Sequence, residues 1–330
     1  MFIITQYPLA VVVCFLTMLC WGSWANTQKL ATQSVPTTLF YRDYTYGILL
    51  LSVLLAFTLG SVGAAGRSFL ADLGQADTQN VVYALVGGVV FNAANILIVV
   101  GIELAGLSVA MPVGIGLALV LGVVVNYVRS PVGNVALLAG GVLAIFGAVV
   151  FSALAYRAKA TTGQTVNTRG LVISLVGGFL MSFFFYFVAR AMAPDFARPT
   201  PGLLTPYTAL VLFALGVVVS TPLFLPILRR FTQKATDEGV AYGDVSARNH
   251  GIGMLGGVVW CLGMASSLLA SGAAGYAISY GLGQGATIVA VLWGVFIWHE
   301  FRGAPATSNR YLTVMGVCYV LGLVLIIAAK

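Results

Sequence analysis

Few side chains in this sequence could handle a proton or a charge, so those that could are informative. Asp43 stands in Tyr41-Arg42-Asp43-Tyr44-Thr45-Tyr46. A carboxylate beside a guanidinium near a helix start is accounted for by charge pairing and by the positive end of the helix dipole. The alternative is chemical: near an aqueous vestibule, a buried carboxylate can take up and release a coupling proton. Glu300, after Trp298-His299 and close to Arg302, reads as an interfacial charge pair, and His299 reads with it.

The remaining candidates are neutral and suit hydrogen bonding or stacking. Trp21 and Trp24 are three apart, on one helix face, with Asn26 following. They form either an interfacial aromatic belt or a stacking platform for a flat solute. Asn92 and Asn95 share a face in Val-Val-Phe-Asn-Ala-Ala-Asn, where amides must tie helices together or line a polar cavity. Tyr276, Ser279, Tyr280, Gly283, Gln284 and Thr287 form one stripe at helical spacing, more polar than a lipid-facing surface. Tyr207, in a faint echo of Tyr44-Thr45, and Trp260 complete the candidate binding set, together with Met111. Pro112, Gly114 and Gly116 predict a helix break that exposes backbone to a cavity. No phosphate-binding glycine loop, metal-ligand spacing or nucleophile with its base is present. An enzyme, a metal and a cofactor are therefore not expected.

The elements that carry these residues are set by composition. Of 330 residues, 60% are hydrophobic and 8% charged, too few polar groups to cover a water-soluble fold. Apolar runs long enough to cross a bilayer as helices fall at 8–30, 43–62, 79–102, 106–128, 131–156, 168–192, 206–230, 249–270, 273–299 and 309–329. The expected fold is an all-α polytopic membrane protein of ten transmembrane helices. The first span lacks a basic flank and a cleavage site, so it is expected to stay as a helix. The four cysteines lie inside apolar spans and read as small hydrophobes.

The net charge of +7 is a matter of topology, not of nucleic acid. Eleven basic residues border the connections after odd-numbered spans and five border the others. This bias predicts both termini outside a cell (inner) membrane. The spans after Ser130 and Asn309 are nearly featureless, scaffold or the surface of a homodimer.

The chain also repeats itself. Gly87-Gly88-Val89-Val90 recurs as Gly256-Gly257-Val258-Val259, and Gly106, Gly114 and Gly116 recur as Gly275, Gly283 and Gly285, all at an offset of about 169 residues. Ten spans divided into 1–156 and 168–330, joined by a short cytoplasmic connection at 157–167, give two five-helix copies. An odd number of crossings inverts the second copy, an arrangement suited to alternating access.

Over its whole length the chain resembles the drug/metabolite transporter superfamily. Within it, the chain is similar to the plant ureide permeases and their bacterial relatives. The resemblance lies in Leu9–Trp24, Tyr41-Arg42-Asp43-Tyr44, Gly87-Gly88 with Asn95, Gly106-Leu107-Ser108-Val109 through Asn126-Tyr127, Tyr207-Thr208-Ala209 and Ala273–Ala277. It implies proton-coupled import of neutral nitrogen-rich heterocycles. The family carries an acidic residue where this chain has Met111, and a long insertion between the fifth and sixth spans that is missing here, which leaves Asp43 as the coupling carboxylate. Bacterial glucose/ribose porters and rhamnose-proton symporters are similar in architecture, so sugar symport stays open, as do a drug or metabolite exporter and a non-transporting scaffold or sensor. The expected solute is small, neutral and polar, because few charges line the candidate site.

Overall fold

The computed structural model describes residues 1–31, 35–105, 107–159, 167–232 and 239–330; the side chains of 107–112 lie outside this set. The described residues are nearly all helical, because backbone polar groups in hydrocarbon must be satisfied within the chain. Helix α1 (Tyr7–Ser23) runs on into the short α2 (Asn26–Leu30) to make the first span, followed by α3 (Thr37–Phe57) and a surface turn, α4 (Phe69–Gln75). Helices α5 (Thr78–Ala105), α6 (Leu107–Arg129) and α7 (Val135–Lys159) complete the first half. The second half holds α8 (Thr168–Ala191), α9 (Pro206–Thr232), α10 (Ala247–Ala274), α11 (Tyr276–Gly283), α12 (Ala286–Leu292) and α13 (Ala306–Ile327). Among the described residues, nine spans are long and apolar enough to cross a membrane, and the Val113–Arg129 part of α6 is a shorter apolar helix. Exposed Val128, Val219 and Leu223 belong to an apolar outer surface suited to lipid.

Two ends of the bundle are defined by bonds between connections. At one, Lys29 meets Glu300, Tyr156 meets Glu300, and Asp43 meets Tyr242. Among the described residues this end carries ten of those eleven basic residues, which makes it the basic end. At the other, the Phe2 carbonyl accepts from Tyr207, Arg67 reaches the carbonyl of Pro199, and Asn134 donates its backbone N–H to the carbonyl of Ala329.

The glycines show how the halves fit. A Cβ on Gly88 would lie 2.0 Å from the carbonyl oxygen of Phe213, and one on Gly257 would lie 1.9 Å from that of Tyr44. Likewise Gly47 abuts the Met254 carbonyl at 2.0 Å and Gly216 the Leu85 carbonyl at 2.1 Å. In each pair of contacts the residues exchange at the same offset of about 169 residues. The register of α9 against α3 is therefore Phe213 on Tyr44 and Gly216 on Gly47, which replaces the expected echo of Tyr44 in Tyr207. Helices α7 and α13 cross reciprocally, with Gly141 against the Gly322 carbonyl and Gly322 against the Gly141 carbonyl, each at 2.8 Å. Gly141 and Gly322 thus serve close packing within the chain.

The helix break expected at Pro112, Gly114 and Gly116 is not in the backbone of α6, which is helical from Leu107 to Arg129. The interruption lies in its counterpart, where α11 stops at Gly283, α12 starts at Ala286, and a π-helical turn, Trp293–Ile297, ends the span. Gly114 and Gly116 instead let neighbours approach: a Cβ on Gly178 would lie 2.4 Å from the Gly114 carbonyl, and one on Gly116 would lie 2.9 Å from the Phe146 ring. A proline only six residues into a helix forgoes one hydrogen bond near its start and does not by itself end it. The side chains of Met111 and Pro112 lie outside the described residues.

Candidate functional site

At the centre of the bundle, Phe91 of α5 and Trp260 of α10 pack with ring centroids 4.3 Å apart. The two lie 169 residues apart, the offset of the repeated glycines, and they touch. Trp260 stacks on Phe213 at 5.7 Å and on Trp21 at 5.9 Å, while Phe91 contacts Phe184 at 5.3 Å. Trp21 is wedged between glycines: a Cβ on Gly263 would lie 2.6 Å, and one on Gly283 2.9 Å, from its ring. Its Nε1 donates to the Trp260 carbonyl at 3.2 Å. The repeated glycine of the ninth span is thus the floor under an indole.

Beside this group, Trp24 packs on Tyr44 at 4.7 Å, and Tyr44 on Tyr41 at 5.5 Å. The Tyr41 hydroxyl donates to Asn92 Oδ1 at 2.8 Å and accepts from Asn95 Nδ2 at 3.1 Å. Asn92 spends its own Nδ2 on Val217, Ser220 and Thr221 of α9, and is fully buried. It joins α3, α5 and α9, which is the helix-tying role. Asn95 is 8% exposed and gives one hydrogen bond to Tyr41. The Tyr44 hydroxyl is buried with no hydrogen-bond partner among the described residues. A buried hydroxyl without a partner costs free energy unless water or a solute satisfies it. Trp24, Tyr44 and Asn95, linked through Tyr41, therefore offer an aromatic face, an unused hydroxyl and an amide.

Several other expected site residues lie elsewhere. Asn26 is at the basic end, donating to the Ser23 carbonyl and accepting from Trp298 Nε1 at 2.6 Å. Tyr207 is at the opposite end, donating to the Phe2 carbonyl at 3.1 Å. Tyr276, one residue past Gly275 with its φ of 87°, begins α11 near that end. Ser279 donates to the Ser267 carbonyl at 2.7 Å, and Tyr280 is fully buried with its hydroxyl on the Ala118 carbonyl at 3.2 Å. The polarity of Ser279 and Tyr280 is consumed in joining α11 to α10 and α6, since a buried hydroxyl seeks a carbonyl whether or not a solute is near. Gln284 sits half-buried at the break between α11 and α12.

Asp43 is buried, and its partners differ from the neighbour expected. Arg42 turns outward, donating to the Tyr46 hydroxyl at 3.1 Å and lying 4.5 Å over the Tyr242 ring. Asp43 turns inward: Oδ2 is 2.7 Å from His250 Nδ1, and Oδ1 accepts from the Tyr242 hydroxyl. His250 Nε2 is 3.2 Å from the Tyr242 carbonyl. His250 and Tyr242, separated from Asp43 by five spans, were not singled out by sequence reasoning; that His250 is one of two histidines was the only signal. Burial, and next the hydrogen bond to Asp43, push the Tyr242 phenol up to about 12. A second buried carboxylate that sequence reasoning missed, Asp72, is held by Arg67 Nε at 2.8 Å and by the backbone N–H of Thr205 at 2.7 Å. It staples α4 to the start of α9.

Glu300 pairs with Lys29 at 2.5 Å, not with Arg302. Despite partial burial, which opposes ionisation, the hydrogen bonds from Lys29 and Tyr156 hold its carboxyl below the usual range. With Trp293 Nε1 donating to Ser23 Oγ at 2.9 Å, these bonds close α1 and α2 onto the last turns of the ninth span. Among the described residues no group of histidine, cysteine, aspartate and glutamate could hold a metal ion.

A family model for ureide permeases matches residues 40–169, which include Asp43, Asn92 and Asn95. Over this stretch the chain is similar to the ureide permeases. It is 28% identical to ureide permease 1 of Arabidopsis thaliana over 168 residues, half of this chain and 43% of that protein. It is 22% identical to ureide permease 4 of the same plant over an alignment of 400 residues, covering 100% and 99% of the two. A probable ureide permease A3 of Vigna unguiculata is 30% identical over 122 residues, 36% and 32% of the two. The chain thus spans less than half the length of ureide permease 1 where they match. A solved crystal structure superposes over 97% of this chain and 99% of its own with a TM-score of 0.60 at 10% identity, a likeness of fold alone. Its long apolar helices make the chain a multi-pass membrane protein.

Proposed function

We propose that this protein is a secondary transporter that imports a small neutral ring compound of the ureide or nucleobase type. The observation that carries the reading is the family match over residues 40–169, which contains the Trp24-facing tyrosines and Asn95. What supports a binding role is the unused hydroxyl of Tyr44, whose ring packs on Trp24 and on Tyr41, the hydrogen-bond partner of Asn95. A planar solute with adjacent N–H and C=O groups can stack on an indole and satisfy both an amide and a hydroxyl.

We infer alternating access from two inverted five-helix repeats, 1–156 and 168–330. The exchanged glycine contacts at one offset, and the Phe91–Trp260 pair at the middle, support it. Proton coupling is assigned to Asp43 with His250, a buried carboxylate and an imidazole 2.7 Å apart at a membrane end. The basic end is assigned to the cytoplasm on the excess of lysine and arginine. Proteoliposome uptake of labelled allantoin, uracil, ribose and glucose, with and without an imposed pH gradient, tests the reading. Saturable, gradient-driven uptake of a ureide or nucleobase is expected; saturable uptake of sugar with none of the ring ureides reverses the substrate assignment.

A further inference from the structure

Five of the sixteen basic residues border the end opposite the basic one. Positive charge on that side is not explained by topology, so where it gathers is informative. Arg129, last residue of α6, and Arg190, in the last turn of α8, both line one cavity of about 200 Å³ with Gln79, Asn80, Tyr83 and Leu203. Arg190 lies 4.9 Å over the Tyr83 ring and 3.5 Å from the Tyr186 hydroxyl, and Gln79 donates to Tyr83 at 3.1 Å. Among the described residues neither arginine has a carboxylate within ion-pair distance. A cation in the last turn of a helix is favoured by the partial negative charge there, which accounts for each arginine singly. It does not account for two unpaired guanidiniums meeting at one cavity beside an amide and a phenol.

The other half of the molecule sharpens the point. At the repeat's offset Arg129 corresponds to Trp298, and there the site is closed: Trp298 bonds Asn26, and Lys29 pairs with Glu300. The equivalent place at the opposite end is open and lacks the acid. We propose that Arg129 and Arg190 form the entry subsite for the solute, gripping a planar oxygen-acceptor edge such as the carbonyls of a ureide or a carboxylate attached to one. Guanidinium presents donors in a rigid fork that matches paired oxygens. This inference rests on the transport reading for the nature of the solute, but its test does not require transport.

The full-length protein in detergent is treated with phenylglyoxal, and modification of Arg129, Arg190 and Arg198 is read by peptide mass spectrometry with and without hydantoin, hydantoate or acetate. Protection of Arg129 and Arg190 by hydantoin and hydantoate, with Arg198 unprotected, is expected. Protection by acetate alone would make this a simple anion site, and no protection by any probe would remove the subsite; either overturns the proposal. In proteoliposomes, Arg190→Gln should raise the KM for the ring solute about tenfold with the maximal rate retained, and Arg190→Lys should restore part of it. Unchanged KM in Arg190→Gln and in Arg129→Gln would also overturn it. Protection without any uptake would instead sink the transport reading and leave the subsite standing.

Discussion

Replacing Asp43 by asparagine separates its chemistry from its packing. The carboxylate is 1% exposed, accepts from Tyr242 and faces His250 at 2.7 Å. Asparagine fits the same space, its carbonyl accepting from Tyr242 and its amide donating to His250 Nδ1, so fold and expression should survive. Removing His250 would be harsher: a buried charge that loses its partner costs about 3–5 kcal/mol when the pair is fully buried. The 21% exposure of His250 brings that figure down through solvent screening. For transport the scale is set by the proton itself. One pH unit is worth about 1.4 kcal/mol per proton, so a one-proton symporter accumulates its solute roughly tenfold per unit of imposed gradient. In proteoliposomes Asp43→Asn should still equilibrate the solute and lose that accumulation, the ratio falling to about one by this stoichiometry. Accumulation by Asp43→Asn equal to that of the unsubstituted protein refutes the assignment.

The pH dependence of wild-type uptake should not reside with the Tyr242 phenol. With its pKa raised to about 12, the phenol is protonated in the folded protein when it would already be ionising in the unfolded chain; what it contributes is complete below pH 10 and is lost between 10 and 12. Tyr242→Phe should therefore leave the acid limb of a pH–uptake profile in place, whereas His250→Gln should shift it. The Glu300–Lys29 latch, with Glu300 depressed, is present above the ordinary carboxylate pKa and is lost only as pH falls through the lower folded value; Glu300→Gln should lower thermal stability at pH 7 by about 1 kcal/mol or less, and no difference is expected once the pH is low enough to protonate Glu300. Gly88→Ala and Gly257→Ala each push a methyl onto a carbonyl about 2 Å away, and both should cost about 1–3 kcal/mol in a thermal unfolding assay; a neutral result at either would break the exchanged packing. Asn92→Ala should destabilise by about 1–3 kcal/mol, since it strips partners from Tyr41 and α9, while Asn95→Ala and Trp24→Ala should raise the KM with expression largely kept.

The spans were legible because a run of apolar residues long enough to cross hydrocarbon has one way to satisfy its backbone. The close packing at Gly88 and Gly257 was legible in the repeated Gly-Gly pairs because a carbonyl of the facing helix tolerates no Cβ there. The site was less legible for a physical reason visible in Ser279, Tyr280 and Asn92: a polar side chain at membrane depth looks the same in sequence whether it bonds a carbonyl of the next helix or a solute. Asn95, in the same stretch as Asn92, differs from it only in what α9 places opposite. His250 was hidden differently, since its value depends on Asp43 five spans away, and nothing local marks the pair.

The Asp43 pair also breaks the symmetry that the glycines keep. At the repeat's offset Asp43 corresponds to Leu212 and His250 to Val81, both apolar. A molecule of two equal halves would have equal inward and outward states and no means to tie one of them to protonation. An ionisable pair on one side only, bonded to the connection before α10, makes the two ends chemically different. The unpaired arginines at the opposite end, where the counterpart is latched by Lys29 and Glu300, are the second such difference. Similar scaffolds with unequal ends would suit the directional, proton-linked transport proposed above. The two differences make separable demands on experiment: exchanging the polarity at Asp43 and Leu212 should alter coupling without altering KM, and neutralising Arg190 should alter KM without altering coupling. A single variant that moved both together would mean that the ends are not independent, and the division of labour between them would have to be given up.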